Sequence, residues 1–133
     1  MDKVKTYDRP ADICSRTFEF AVRIVNLSSY LLGKPGVSRT LANQLLKAGT
    51  SIGANIEEGN AAQSKKDFIT KMSIASKEAR ESKYWLRLLD RSKFVDLDYS
   101  FALSLVEHLI NMLTKIVKTS QESLNDKKSG STQ

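Results

Sequence analysis

Basic residues crowd one segment of the chain. Between Lys65 and Lys93 there are nine Lys and Arg against four Asp and Glu, which is most of the net charge of +6. At about 100° per residue of helix, five of these cations and one tyrosine share a flank. They are Lys77, Arg80, Lys83, Tyr84, Arg87 and Arg91. Such a flank can bind the phosphates of RNA or DNA while Tyr84 or arginine planes stack on unpaired bases. The alternative is a solvated helix face with ion pairs such as Asp67 to Lys71.

A run of small residues lies just before this basic segment. Gly49 and Gly53 fall inside a helical pattern, where each costs about 1 kcal/mol relative to alanine. Together with nearby alanine and serine they predict that another helix approaches closely. Two adjacent glutamates, Glu57 and Glu58, then oppose the dipole at the end of the same helix. Either one of them pairs with a cation of the third helix or of another subunit, or both point into water.

Residue types suited to catalysis or metal binding are scarce. A di-iron centre in a helix bundle needs Glu-x-x-His pairs, but the one histidine, His108, directly follows Glu107 and has no glutamate three residues earlier. Cys14 has no nearby histidine in sequence, and we interpret it as a buried thiol that fills space. Phosphate-binding and dinucleotide-binding glycine loops are absent. We therefore expect no catalytic residue, no metal site and no cofactor; a metalloenzyme would contain bound iron or manganese.

Four segments with apolar residues at helical spacing must position these groups. We predict helices over residues 12–32, 38–59, 64–91 and 98–123, with a disordered polar tail over 125–133. Glycine and proline end the first helix, Ser38 caps the second, and Gly59 stops it. Ser64 with Asp67 predicts a capping box for the third helix. Asp98 or Asp96 caps the fourth.

The fold class is therefore all-α. At 133 residues the chain is long enough for one core, and we expect a single domain over residues 1–124. Short loops between long amphipathic helices predict an antiparallel up-down-up-down four-helix bundle. Helices one and four carry apolar arcs broader than one bundle face needs, which favours a homo-oligomer. Trp85 lies beyond the core stripe of helix three, where another helix or subunit would bury it.

Charge and composition indicate which class of partner and which cellular compartment to expect. The isoelectric point near 9.5 makes polyanions the more plausible partners. A single cysteine forms no intramolecular disulfide, the N-terminal residues lack an apolar signal region, and apolar runs break before about eighteen residues. We expect a cytoplasmic protein with no membrane association.

One continuous stretch carries a family resemblance, from Gln44 to Gly59, QLLKAGTSIGANIEEG, followed by EARE from Glu78 and YWLRLL from Tyr84. It resembles the four-helix-bundle family of bacterial 23S rRNA intervening-sequence proteins, which includes the accessory protein of diversity-generating retroelements. The resemblance spans roughly Phe18 to Leu89. It implies a homopentameric barrel and a basic surface that contacts nucleic acid or, in the retroelement branch, a reverse transcriptase. Five copies would carry a charge of about +30.

Five residues match the family motif cleanly: Asn55, Ile56, Glu58, Gly59 and Glu81. The chain departs from many relatives at Gly53 and at Glu57, where they have other residues. By this resemblance the matched residues serve packing and assembly, and we group Gly49, Gly53, Glu57 and Trp85 with them.

Taken together, the sequence predicts a non-enzymatic, oligomeric bundle that binds RNA, DNA or a nucleic-acid enzyme through the basic flank of helix three. A protein-interaction scaffold with no nucleic-acid role is the alternative, in which the apolar faces and the Glu57–Glu58 pair serve assembly or a protein partner.

Overall fold

The computed structural model describes residues 8–131 as four α-helices joined by short loops, with no strand among those residues. The helices are α1 (Asp8–Leu32), α2 (Val37–Asn60), α3 (Lys65–Ser92) and α4 (Ser100–Ser131). Each helix packs against the next, and α4 returns to contact α1 more sparsely. This is the ring order of an up-down-up-down four-helix bundle, and the predicted fold class is confirmed at that level.

The core is one apolar stripe from each helix, because residues three and four apart share a helix face. Burying one large aliphatic or aromatic side chain stabilises the fold by about 1.5–3 kcal/mol. The largest fully buried side chains are Ile13, Phe20, Ile24 and Leu31 on α1, Leu45, Ile52 and Ile56 on α2, Met72, Leu86 and Leu89 on α3, and Leu109 and Leu113 on α4.

Side-chain caps start two of the helices as predicted. The Ser64 hydroxyl accepts a hydrogen bond from the Asp67 backbone N–H at 3.1 Å and caps α3. At α4, Asp98 rather than Asp96 accepts the Ser100 backbone N–H, at 2.9 Å. Hydrogen bonding from the Ser100 side chain, and then from its backbone N–H, lowers the pKa of the Asp98 carboxyl.

Both predicted ends of α2 lie within one residue of the observed ends, but the roles predicted for the residues there were wrong. Ser38 does not cap the helix: it is buried within the first turn, and the chain enters α2 through Gly36 at φ 85°, a conformation that favours glycine. Gly59 does not stop the helix either, since α2 continues to Asn60 and Gly59 is buried within it. Its role is in packing, as described below.

Helix α4 is longer than predicted. It ends at Ser131, so most of the segment predicted to be a disordered tail is helical. Glycine and proline are absent from α4 before Gly130, and the Gln121 and Asn125 side chains bond across one turn at 3.3 Å. Residues 132 and 133 of that tail lie outside the described residues.

The stretch Ser100–Lys127 of α4 contains an 18-residue window with a mean hydropathy of 1.3, of which 22% is buried, so by length and composition alone this helix could cross a membrane. The core helix of a bundle passes the same test. Here Val106, Leu109 and Leu113 contribute to the core, while the Glu107 carboxylate forms an ion pair with α3.

Candidate nucleic-acid interface

Of the five cations singled out by spacing, Arg80 and Lys83 contact α4, and the other three share their flank of α3 by helical spacing. We call Lys77, Arg80, Lys83, Arg87 and Arg91, with Tyr84, the basic ridge. The fourteen steps from Lys77 to Arg91 span about 21 Å at 1.5 Å per residue. All six side chains are exposed except that of Lys83, which is half-buried.

Helix α4 holds two members of the ridge. The Arg80 guanidinium donates to the Thr114 hydroxyl at 3.0 Å, and Lys83 Nζ lies 2.6 Å from a carboxylate oxygen of Glu107. Lys77, Arg87 and Arg91 form no ion pair with any residue that the structure describes. These three charges therefore remain available to an anion.

The ion pair Asp67 to Lys71, offered as an example of a solvated helix face, is not formed among the described residues. Lys71 lies on the opposite side of α3 from the ridge and pairs with Glu58 of α2, at 2.6 Å. This is the pairing with the third helix that the sequence left open for the two glutamates. Glu57 is exposed.

An aromatic pair borders the ridge. The Tyr84 side chain is 52% exposed, and its ring meets that of Trp85 edge to face at 5.2 Å between centroids. Trp85 is half-buried against the core, and its indole N–H donates to Glu81 at 3.3 Å. Glu81 therefore orients Trp85, which in turn supports one edge of Tyr84.

Sequence reasoning missed a groove next to the ridge. An open cleft of about 460 Å³ runs between α3 and α4, and we call it the α3/α4 groove. Its signal in the sequence was two rows of polar residues at helical spacing, one on each helix. It is lined by Ser73, Ser76, Arg80, Thr114, Val117, Lys118, Gln121 and Glu122.

The predicted packing residues lie in the seams that α2 forms with α1 and α3. A Cβ on Gly49 would stand 2.9 Å from Ile24 Cγ2, and one on Gly59 would stand 3.1 Å from Lys71 Cβ. Gly53 is less constrained, since its nearest neighbour, Thr17, would be 3.4 Å away. Gly49 and Gly59 therefore lie where a neighbouring helix approaches too closely for a methyl group, whereas Gly53 has room for one.

Two other motif residues also hold α2 together. Ile56 is fully buried, and the Asn55 amide donates to the Ser51 carbonyl at 2.8 Å. Neither contributes to the basic ridge, which adjoins α4 instead.

Among residues 8–131, the titratable groups do not assemble into a metal site. No group of three or more His, Cys, Asp or Glu side chains could hold a metal ion within the described part of the chain. Cys14 is half-buried, and the Asn60 amide donates to its sulfur at 2.9 Å. Burial raises the pKa of the Cys14 thiol, Asn60 lowers it, and the charge of Glu57 raises it.

The second apolar face predicted for α1 is on the surface of this chain. Phe18 is 64% exposed, and Val22 and Val25 are also exposed. On the other side of α1, Arg23 covers the exposed ring of Phe101 on α4, with its guanidinium carbon 3.8 Å from the ring centroid.

Comparison with known proteins agrees with the resemblance seen in the sequence. The sequence profile of the 23S rRNA-intervening sequence protein family matches residues 9–115. The chain belongs to this family. A similar solved structure is a crystal structure, at 1.70 Å resolution, of a protein of unknown function from the S23 ribosomal protein family of Bacteroides thetaiotaomicron.

That protein is 41% identical to this chain, with a TM-score of 0.75. The match covers 83% of this chain and 98% of the Bacteroides thetaiotaomicron protein. The comparison with curated proteins gave no match. The residues matched by the 23S rRNA-intervening sequence protein family, 9–115, include all of α2 and α3 and the first half of α4.

Proposed function

We propose that this member of the family is a non-enzymatic protein that binds the phosphate backbone of RNA or DNA through the basic ridge. The observation that supports this is three exposed cations on one flank, Lys77, Arg87 and Arg91, with no described carboxylate paired to them. At about 3.4 Å per phosphate of one strand, the 21 Å ridge spans about six phosphates.

Binding of this kind depends on salt. Exposed charges interact weakly when screened, so the affinity comes mainly from the release of counterions from the nucleic acid. Assembly into a homo-oligomer, which we propose to be a pentamer, would repeat the ridge on each subunit and strengthen attraction of a polyanion.

Reversing two ridge charges tests the proposal. We expect Arg80→Glu with Arg87→Glu to abolish binding of a labelled structured RNA and of duplex DNA, measured by fluorescence anisotropy at two salt concentrations. Helicity by circular dichroism should stay unchanged because both side chains are exposed. Wild-type affinity should fall steeply with salt, and the slope reports the number of phosphates contacted.

The matched control reverses two cations away from the ridge. Arg39→Glu on α2 with Lys115→Glu on α4 changes the net charge by the same amount, and both residues are exposed. This variant should retain most of the binding. Equal loss in both variants would show that net charge rather than the ridge drives binding, and unchanged binding by the ridge variant would overturn the proposal.

A protein-interaction scaffold is the second candidate, and the exposed apolar strip of Phe18, Val22 and Val25 on α1 favours it. A reverse transcriptase is one such partner, proposed from the family resemblance. A salt-insensitive complex with a purified protein partner, together with no affinity for RNA or DNA at low salt, would support this candidate over the basic ridge.

A further inference from the structure

The α3/α4 groove continues from the basic ridge, because Arg80 belongs to both. Toward the N-terminal end of α3 its wall is formed by Ser76 and then Ser73, one and two turns before Arg80. A nucleic-acid strand bound along the basic ridge would therefore reach the α3/α4 groove at Arg80 while staying in contact with the protein surface.

Most of the surface inside the groove is apolar, and the polar side chains along its walls carry donors suited to an anion. Arg80 projects from α3 and Lys118 from α4, so one cation stands on each helix. Serine and threonine hydroxyls and the Gln121 amide add neutral donors. Glu122, one turn after Lys118, is the single carboxylate among the lining residues.

Arg80 is oriented before any ligand arrives. One of its terminal nitrogens donates to Thr114 at 3.0 Å, which holds the guanidinium across the groove. The other N–H groups of that plane are free to point at a phosphate, and its face can stack on a base.

The volume of the groove and the apolar residue within it indicate a ligand larger than a phosphate. A volume of about 460 Å³ falls in the range of small-ligand sites, and the half-buried Val117 offers an apolar surface. A base within a duplex is stacked and paired, so it cannot enter a groove between two helices, whereas an unpaired base can.

We propose that the α3/α4 groove holds one unpaired nucleotide of RNA or DNA, with its phosphate on Arg80 and Lys118 and its base against Val117. This inference rests on the proposed function and deepens it: the basic ridge attracts any nucleic acid, and the groove makes the protein prefer single strands or loops to continuous duplex.

Filling the groove without changing charge tests this inference. Fluorescence anisotropy would compare oligouridine, oligodeoxyuridine and an RNA duplex, each about twenty nucleotides long per strand to exceed one binding site. We expect wild type to bind the single strands about tenfold more tightly than the duplex. Stacking of a single base on the protein contributes enough binding free energy for a preference of this size. Ser76→Leu should reduce this preference to below about twofold and leave duplex affinity unchanged.

Two controls separate the groove from its surroundings. Ser104→Leu adds the same side chain at an exposed position of α4 outside the groove and should retain the preference. Lys118→Glu should weaken single-strand binding more than Lys115→Glu, which makes the same charge change on α4 but lies outside the groove lining. Circular dichroism would verify that each variant is folded.

Each outcome has one meaning. A preference for single strands that survives Ser76→Leu, or equal effects of the two lysine reversals, would overturn the groove site. Equal wild-type binding of single strand and duplex would overturn it as well, while leaving the ridge in place. Absence of all binding at low salt would instead overturn the proposed function. The two oligonucleotides distinguish RNA from DNA as the ligand.

Discussion

At the residue scale, the glycines of α2 differ in what surrounds them. Gly49 faces Ile24, a fully buried and β-branched side chain that has little freedom to move. Gly53 faces Thr17 at ordinary van der Waals distance. We therefore expect replacement by alanine to have different effects on stability at these two positions.

We expect Gly49→Ala to lower the free energy of unfolding by about 1–3 kcal/mol, because the new methyl group overpacks the seam with α1. Gly53→Ala should leave stability unchanged or raise it by up to about 1 kcal/mol, since alanine favours the helix. Urea unfolding of both variants measures the difference. If Gly53→Ala lowered the free energy of unfolding more than Gly49→Ala did, the seam between α1 and α2 would be more loosely packed at Gly49 than the geometry indicates.

Cys14 gives a second test at this scale, through its pKa. Because burial and the charge of Glu57 both raise that pKa, the thiolate fraction near pH 8 is small and alkylation by iodoacetamide should be slow. Glu57→Gln removes one cause, lowers the pKa and speeds alkylation at that pH. Glu58→Gln, whose carboxylate pairs with Lys71, should leave the rate unchanged. Identical rates in all three proteins would contradict the assigned influence of Glu57.

At the element scale, α3 packs against α2 with one flank and against α4 with the other. One flank packs on α2, where Lys71 pairs with Glu58 and Gly59 admits the Met72 side chain. The other flank adjoins α4, which pairs with Lys83 through Glu107 and thereby neutralises part of the basic ridge. Helix α4 therefore both supports the ridge and limits its charge.

Neutralising Glu107 should strengthen nucleic-acid binding. In Glu107→Gln the Lys83 ammonium is released to a phosphate, so we expect affinity to rise about two- to fivefold at low salt and the salt dependence to steepen by about one counterion. Loss of an exposed ion pair changes the free energy of unfolding by at most about 1 kcal/mol. Anisotropy titrations at several salt concentrations measure both quantities.

The matched control is Glu19→Gln on α1. It removes the same charge from a surface ion pair, with Arg23 at 3.8 Å, on a helix that carries no part of the ridge. Its effect on affinity should be smaller than that of Glu107→Gln. A stronger effect at Glu19 would place the binding surface on α1.

At the scale of the whole molecule, charge and apolar surface lie on different helices. The basic ridge occupies α3, whereas the apolar strip of Phe18, Val22 and Val25 lies on α1. A protein that self-associates through α1 can therefore leave every ridge exposed to solvent, which a multivalent contact with a polyanion requires.

We expect Phe18→Glu with Val22→Glu to convert the proposed oligomer into monomers of unchanged helicity, because both side chains lie on the surface of the single chain. Native mass spectrometry measures the subunit number. Ser104→Glu with Asn111→Glu places the same charges on an exposed part of α4 and should leave that number unchanged. A wild-type monomer, or an oligomer that persists in the α1 variant, would contradict this role of the strip.

The amino-acid sequence by itself determined the four helices, most of their ends and the angular order of residues around each one. The ridge cations share a flank because about 100° per residue places them there, whatever the helix packs against. The cap at Ser64 was equally readable, and that of α4 was narrowed to Asp98 or Asp96, because each involves a backbone N–H two or three residues away.

Only the tertiary structure decided which helix lies against which flank, and at what register. It joined Lys71 to Glu58, thirteen residues away, and Lys83 to Glu107, twenty-four residues away. It also placed two separate polar rows on either side of the α3/α4 groove and made Gly59 a packing residue rather than a helix stop. The periodicity of a helix is a property of one segment, whereas pairing and clefts depend on how two segments align in space.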